Sequence, residues 1–225
     1  MALPDYMTDM NAVLKDKVEW LHGTIPDYSK ANNLFLKERT KIHESGSLED
    51  LVTNLVKNWE KEASYKPKAT DWRTIDHKLY KFSTNGGAWS TAEDMIKIGT
   101  YNALIGESEY YAASRIMDSV DSHKVFRSCL RSGFAWECLE VYSGPPRVSF
   151  KWRHWGTMSG KLRCPMRNGS ELIAEPTNEI VELFGVTVAT INEKFQILQL
   201  ETFFNPNDLF SQMVKNCPVT GVATK

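Results

Sequence analysis

The sequence lacks every short signature that would name a chemistry. It contains no HExxH, no GxSxG, no GxxxxGK[ST] phosphate loop and no dinucleotide GxGxxG fingerprint. Its four cysteines, Cys129, Cys138, Cys164 and Cys217, have no CxxC or other close ligand spacing. In a chain of this length they read as reduced thiols. His22, His43 and His77 are scattered without paired acids, so neither a metal nor a cofactor is expected. No charge sign dominates: 27 Lys and Arg face 28 Asp and Glu. A nucleic-acid scaffold needs a concentrated positive field, so no nucleic-acid partner is expected. Nowhere do roughly eighteen apolar residues follow one another, as a membrane span would need. The opening MALPDYMTDMNAVLKDK carries acids and lysines where a signal peptide needs a continuous apolar stretch. The expected partners therefore include no membrane, and the expected location is cytoplasmic. There the sequon Asn168-Gly169-Ser170 would go unused.

What is present is a 42% apolar fraction in 225 residues, enough for one sizeable domain. Seven tryptophans are many, and Trp136, Trp152 and Trp155 cluster. Large rigid rings either fill a thick core or line a cavity.

The first part of the chain follows a helical period. Tyr28 to Ile42 predicts a helix, and Ser47 predicts a cap for a second one. That helix carries the stripe Leu48, Leu51, Val52, Leu55, Val56 and Trp59. Lys66 to Asn85 reads as loop with a brief strand around Tyr80 and Phe82. The pair Ser90 and Glu93 predicts a capping box for a well-buried helix through Met95, Ile98 and Ile105. A last helix, Asp118 to Leu130, carries Val120, His123, Val125 and Phe126.

After Gly133 the period changes. Phe134 to Tyr142 and Arg147 to Trp155 read as a hairpin around Ser143-Gly144-Pro145-Pro146. Residues 156–169 read as a loop with a solvated basic surface. Glu179 to Ala189 and Phe195 to Phe204 form a second hairpin, and Asp208 to Lys215 a terminal helix. This order predicts an α+β domain with helices on one side of a long-stranded, curved sheet. The expected organisation is an N-terminal extension at 1–27, one domain at 28–216 and a flexible tail at 217–225.

Period-two alternation puts Phe150, Trp152 and His154 on one face of their strand, opposite Lys151, Arg153 and Trp155. His154 is therefore expected to point inward with Trp152. In the next strand Ile180, Glu182, Phe184, Val186 and Val188 share a row, so Glu182 is an acid on an apolar face. Three readings of His154 and Glu182 stand open: a proton-transfer pair, a ligand-orienting pair, or a structural pair in which Glu182 satisfies Arg153. His123 borders the same region as a core or cavity histidine. Trp136 and Tyr142 lie on one face of the first strand, and alternation alone does not assign Glu201 in the last.

Several strings resemble plant pathogen-related proteins. They are Ser47-Leu48-Glu49, Val56-Lys57-Asn58-Trp59-Glu60, Ser122-His123-Lys124, Glu140-Val141-Tyr142-Ser143-Gly144-Pro145-Pro146, Arg153-His154-Trp155-Gly156, Val181-Glu182-Leu183-Phe184-Gly185 and Glu201-Thr202-Phe203-Phe204. That family resembles the SnoaL-like group within the NTF2-like fold. The resemblance implies helices packed on a strongly curved antiparallel or mixed sheet that closes a cone around an apolar cavity. It also implies cofactor-free acid–base chemistry for the enzymes of the group, which has non-enzymatic members too. The family's tail often reads Phe-Phe-Asp, whereas this chain has Phe203-Phe204-Asn205.

The expectation is thus an isomerase, cyclase or dehydratase acting on an apolar secondary metabolite. His154 and Glu182 would be the catalytic pair, with His123 or Tyr142 donating to an oxyanion. Trp152, Phe150, Phe184, Trp136, Phe203 and Glu201 would bind the small apolar molecule. A non-catalytic carrier and a protein-interaction module are the alternatives, and a homodimer fits all three.

Overall fold

The computed structural model describes residues 2–116 and 119–215, with the side chains of 119–121 outside the description. Asp118, the Val120 side chain, Cys217 and the expected tail at 217–225 therefore lie outside the described residues.

Helix α1 spans Ser29–Glu38 and α2 spans Leu48–Tyr65. Ser47 caps α2 as expected, its Oγ accepting from the Asp50 N–H, and Glu49 and Asp50 place negative charge in the first turn. Strand β1 is the short Lys81–Thr84. Helices α3 (Ala92–Ile98) and α4 (Thr100–Ile105) replace the single expected helix. Gly99, at φ +88°, turns the chain between them. The capping box is Thr91 with Asp94, one residue beyond the expected Ser90 with Glu93. Ser90 is already engaged, because its backbone pairs with Phe82 in an isolated bridge. Helix α5 is Ser119–Cys129.

Strands β2 (Ala135–Ser143) and β3 (Arg147–Thr157) form the first hairpin. The segment expected as a loop holds β4 (Leu162–Pro165) and β5 (Glu171–Ala174), a separate two-stranded sheet. Its alternation is short but real, since Leu162, Cys164, Leu172 and Ala174 are buried while Arg163 faces solvent. Strands β6 (Ile180–Ile191) and β7 (Ile197–Phe203) form the second hairpin, and α6 is Pro206–Val214.

The main sheet has the order β1-β7-β6-β3-β2, with β1 parallel to β7 and the other pairs antiparallel. The α+β layering therefore stands, and the expected cone does not. The order is linear, and β1 and β2 are two edges that do not pair with each other. The open edge at β2 is covered by side chains instead of a strand. Lys57 Nζ donates to the Trp136 carbonyl (2.9 Å), and a His43 ring nitrogen lies 2.8 Å from that of Cys138. Two edge acceptors are thus satisfied from α2 and the α1–α2 connection, and the sheet ends there.

Helices cover one face of this open sheet. Within the core, α2 contributes Val52, Leu55, Trp59 and Ala63 at helical spacing. Near the N-terminus, Tyr6, Met7, Ala12 and Val13 are buried in the same cluster. Asn58 ties this segment to α2, donating to the carbonyls of Tyr6 and Asp9 and accepting from the Val13 N–H.

One close approach fixes the middle of the sheet. Trp152 pairs across strands with Gly185, and its indole N–H donates to Thr187 Oγ1 (2.9 Å). A methyl group at Gly185 would collide with the indole ring. Gly185→Ala is therefore expected to lower stability by about 1–3 kcal/mol, the usual cost of overpacking. Urea unfolding measures the loss, and a shift in tryptophan emission reports the displaced ring. An unchanged midpoint would show that the ring moves freely.

Candidate functional site

A cavity of about 450 Å³ lies between the helices and the inward face of the sheet. From the sheet it takes Trp136, Phe150, Trp152, His154, Leu183 and Thr187. The register explains the choice: Trp136, His154 and Leu183 stand opposite one another across β2, β3 and β6, as do Phe150, Thr187 and Thr202 where β7 joins. Polar groups on this face satisfy each other, Trp152 donating to Thr187 and Thr187 to Thr202 (2.9 Å each).

Helix α2 supplies the polar wall. Lys57, Glu60, Lys61 and Tyr65 line the cavity at helical spacing. The Glu60 carboxylate accepts from Tyr28 Oη at 3.0 and 2.9 Å and from Ser64 Oγ at 3.1 Å. Burial, and then the charge of Glu60, push Tyr28, Tyr65 and Tyr101 upward in pKa, so these phenols stay protonated at neutral pH. Lys57 is brought down to about 7, chiefly by burial and then by Lys61. Burial brings Lys61 to about 8, against the opposing charges of Glu60 and Asp9.

His154 and His123 both reach the cavity. His154 stacks on Phe134, with ring centroids 3.5 Å apart. Burial, followed by the charge of Lys57, lowers its pKa to about 3, while a backbone hydrogen bond at Phe134 works the other way. The imidazole is consequently neutral at pH 7. His123 is buried between the rings of Tyr65 (5.3 Å) and Tyr101 (5.2 Å).

The pair expected from the sequence is not formed. Glu182 lies opposite Trp155, on the outer face, and binds Arg153 Nε at 2.7 Å. That is the structural alternative, and it leaves His154 without Glu182 as a partner. Tyr142, Phe184 and Phe203 are exposed and do not line the cavity, nor does Glu201. Trp136, Phe150 and Trp152 do. The basic stretch Lys161 to Arg167 takes no part in the lining either. Both rows of β6 are apolar, so alternation could not tell which faces inward. The inward row holds Val181, Leu183, Thr187 and Ala189.

Sequence reasoning passed over Glu60, Lys57, Lys61 and the three tyrosines. On a helix wheel a Lys-x-x-Glu-Lys run reads as a solvated face. The available signal was the shared string Val56-Lys57-Asn58-Trp59-Glu60.

The low pKa of His154 has a consequence for stability. Between pH 6.5 and about 3 the unfolded chain binds a proton that the folded chain does not. Stability contributed above pH 6.5 is therefore lost as pH falls through that window. His154→Phe removes this dependence. The variant should lose less stability between pH 7 and pH 4 than the wild type, by on the order of 2 kcal/mol. Urea midpoints at the two pH values measure it, and parallel profiles would refute the assignment.

Among the described residues, no group of three His, Cys, Asp or Glu side chains could hold a metal ion, and no helix is long and apolar enough to cross a membrane. No family model matches the chain. It is 34% identical over 204 residues to a "Pathogen-related protein" of Hordeum vulgare, covering 88% of this chain and 83% of that protein. Solved structures include a SnoaL-like protein from a Jannaschia species, at 11% identity and a TM-score of 0.39, covering 79% of this chain and 99% of that one. Another is an NTF2-like protein of unknown function from Cytophaga hutchinsonii, at 12% identity and a TM-score of 0.31, covering 77% and 99%.

Proposed function

The chain belongs to the pathogen-related protein family, and from that premise we propose that it is a cofactor-independent acid–base enzyme of the isomerase, cyclase or dehydratase kind. Its substrate would be a small, largely apolar molecule held in the cavity. The observation that carries this reading is Glu60, a carboxylate facing an aromatic cavity and positioned by Tyr28 and Ser64. In this scheme Glu60 takes a proton from a carbon beside a carbonyl group. The electron pair of that C–H bond moves to form an enolate, whose oxygen carries the charge. Protonated phenols such as Tyr101 and Tyr65 donate to that oxygen. In a substrate whose enolate is conjugated with a C=C bond, Glu60 then returns the proton to the far carbon of that dienolate. The double bond moves next to the carbonyl group, and the isomerisation is complete. His154, kept neutral by its burial, and His123 orient the substrate by hydrogen bonds. Cys129, Cys138 and Cys164 take no part, since burial pushes each thiol up to about 12.

Incubating the desalted protein in deuterated water with cyclic and aromatic ketones tests the proposal. Protein-dependent deuterium at the carbon beside the carbonyl is the expected result. A ligand that is bound and recovered without deuterium or rearrangement would overturn the catalytic reading in favour of a carrier.

A further inference from the structure

The cavity carries a charge that the chain as a whole does not. The formal net charge of the chain is −1, yet five cationic side chains line the cavity against two carboxylates. The cations are Lys30, Lys57, Lys61, Arg127 and Arg131, and the acids are Asp27 and Glu60. Lys57 and Lys61 are buried and spend their hydrogen bonds on the carbonyls of Trp136, Met10 and Lys57. Among the described residues, neither lysine has a carboxylate within ion-pair distance.

The other three cations are exposed while still lining the cavity, which places them at its mouth. Lys30 sits on α1, Arg127 in the last turn of α5, and Arg131 just beyond it. Lys30 Nζ donates to the Arg131 carbonyl (3.2 Å) and Arg131 Nε to the Ser128 carbonyl (3.2 Å), which ties α1 to the chain just beyond α5 at this rim. Among the described residues, neither arginine has a carboxylate within ion-pair distance. The nearby acid Asp27 instead accepts from the Ser29 backbone N–H. Inward from this rim the wall turns apolar, through Phe126, Leu183, Trp152 and Phe210.

We propose that the ligand of this cavity is an amphiphilic anion, an aromatic or alicyclic body bearing one carboxylate. The body packs against the tryptophan-lined wall and the carboxylate meets Arg127 and Arg131 at the mouth. Arginine suits that task because its planar fork matches a carboxylate in two hydrogen bonds. Glu60 repels a second carboxylate, so the anionic end belongs with the arginines and the neutral body beside Glu60. This inference rests on the reading of the cavity as a ligand site and is independent of whether Glu60 performs catalysis.

Calorimetric titration of the full chain with 2-naphthoate and with its neutral isostere 2-naphthamide separates the two ideas. The expected result at low salt is about tenfold tighter binding of the carboxylate. Arg127→Gln with Arg131→Gln should remove that preference and leave the affinity for the amide unchanged, with an unaltered melting temperature. Equal affinities in the wild type would overturn this inference and leave the cavity reading standing. An equal loss for both ligands in the double variant would also overturn it. Binding of neither ligand at millimolar concentration would overturn both.

Discussion

Glu62→Ala is expected to cost about 3–5 kcal/mol, the loss typical of breaking a buried charged pair from one side. Glu62 is fully buried and its two oxygens hold four donors. Oε1 accepts from Lys66 Nζ (2.9 Å) and the Arg73 N–H (2.8 Å), and Oε2 from the Thr74 N–H (3.0 Å) and Thr74 Oγ1 (2.6 Å). Lys66 would keep Asp16 at 2.7 Å and the Asp71 carbonyl at 2.8 Å. Arg73 and Thr74 would lose their acceptor, and Thr74 is out of reach of water. Domains typically hold about 5–15 kcal/mol in total, so the variant should unfold at a much lower urea concentration. A loss below about 1 kcal/mol would show that water replaces the carboxylate.

Glu60→Gln, two residues earlier on the same helix, is expected to do the reverse. The amide keeps the shape of the side chain and an acceptor oxygen, so folding stability should hardly change. As a base it is ineffective, so turnover should fall by about 10²–10⁴-fold, the usual worth of general acid–base catalysis. Ligand affinity should stay within a few-fold, which separates a lost proton acceptor from a lost contact. Comparing kcat and Kd for wild type and variant decides it. Turnover that survives intact would remove Glu60 from the mechanism and return the question to His154.

These two glutamates also mark where the sequence was legible and where it was not. Both sit in a run of alternating charge, Lys57, Glu60, Lys61, Glu62 and Lys66. A period of 3.6 sorts such residues into faces of α2 without saying what covers each face. In this chain α2 is enclosed on several sides. Glu62 is closed off beneath Arg73 and Thr74, and Glu60 is left facing the cavity. Neither contact is local, so neither has a trace in the spacing of the helix itself.

Helices, strands and most of their limits were set by local signals: the Ser47 cap, the two hairpins and the switch of period after Gly133. The same alternation turned Trp152 and His154 inward, and they do line the cavity. It could not orient β6, where both rows are apolar. There the register against β3 put Glu182 outside beside Arg153. Nor could it end the sheet, because that depended on Lys57 and His43 occupying the outer edge of β2. By itself, then, the sequence determined which residues share a face, since side-chain direction repeats along each element. Only the tertiary structure decided which face is inside, whether the sheet stays open, and which charges meet in the cavity. Those outcomes follow from contacts between residues far apart in the chain, and no local period carries them.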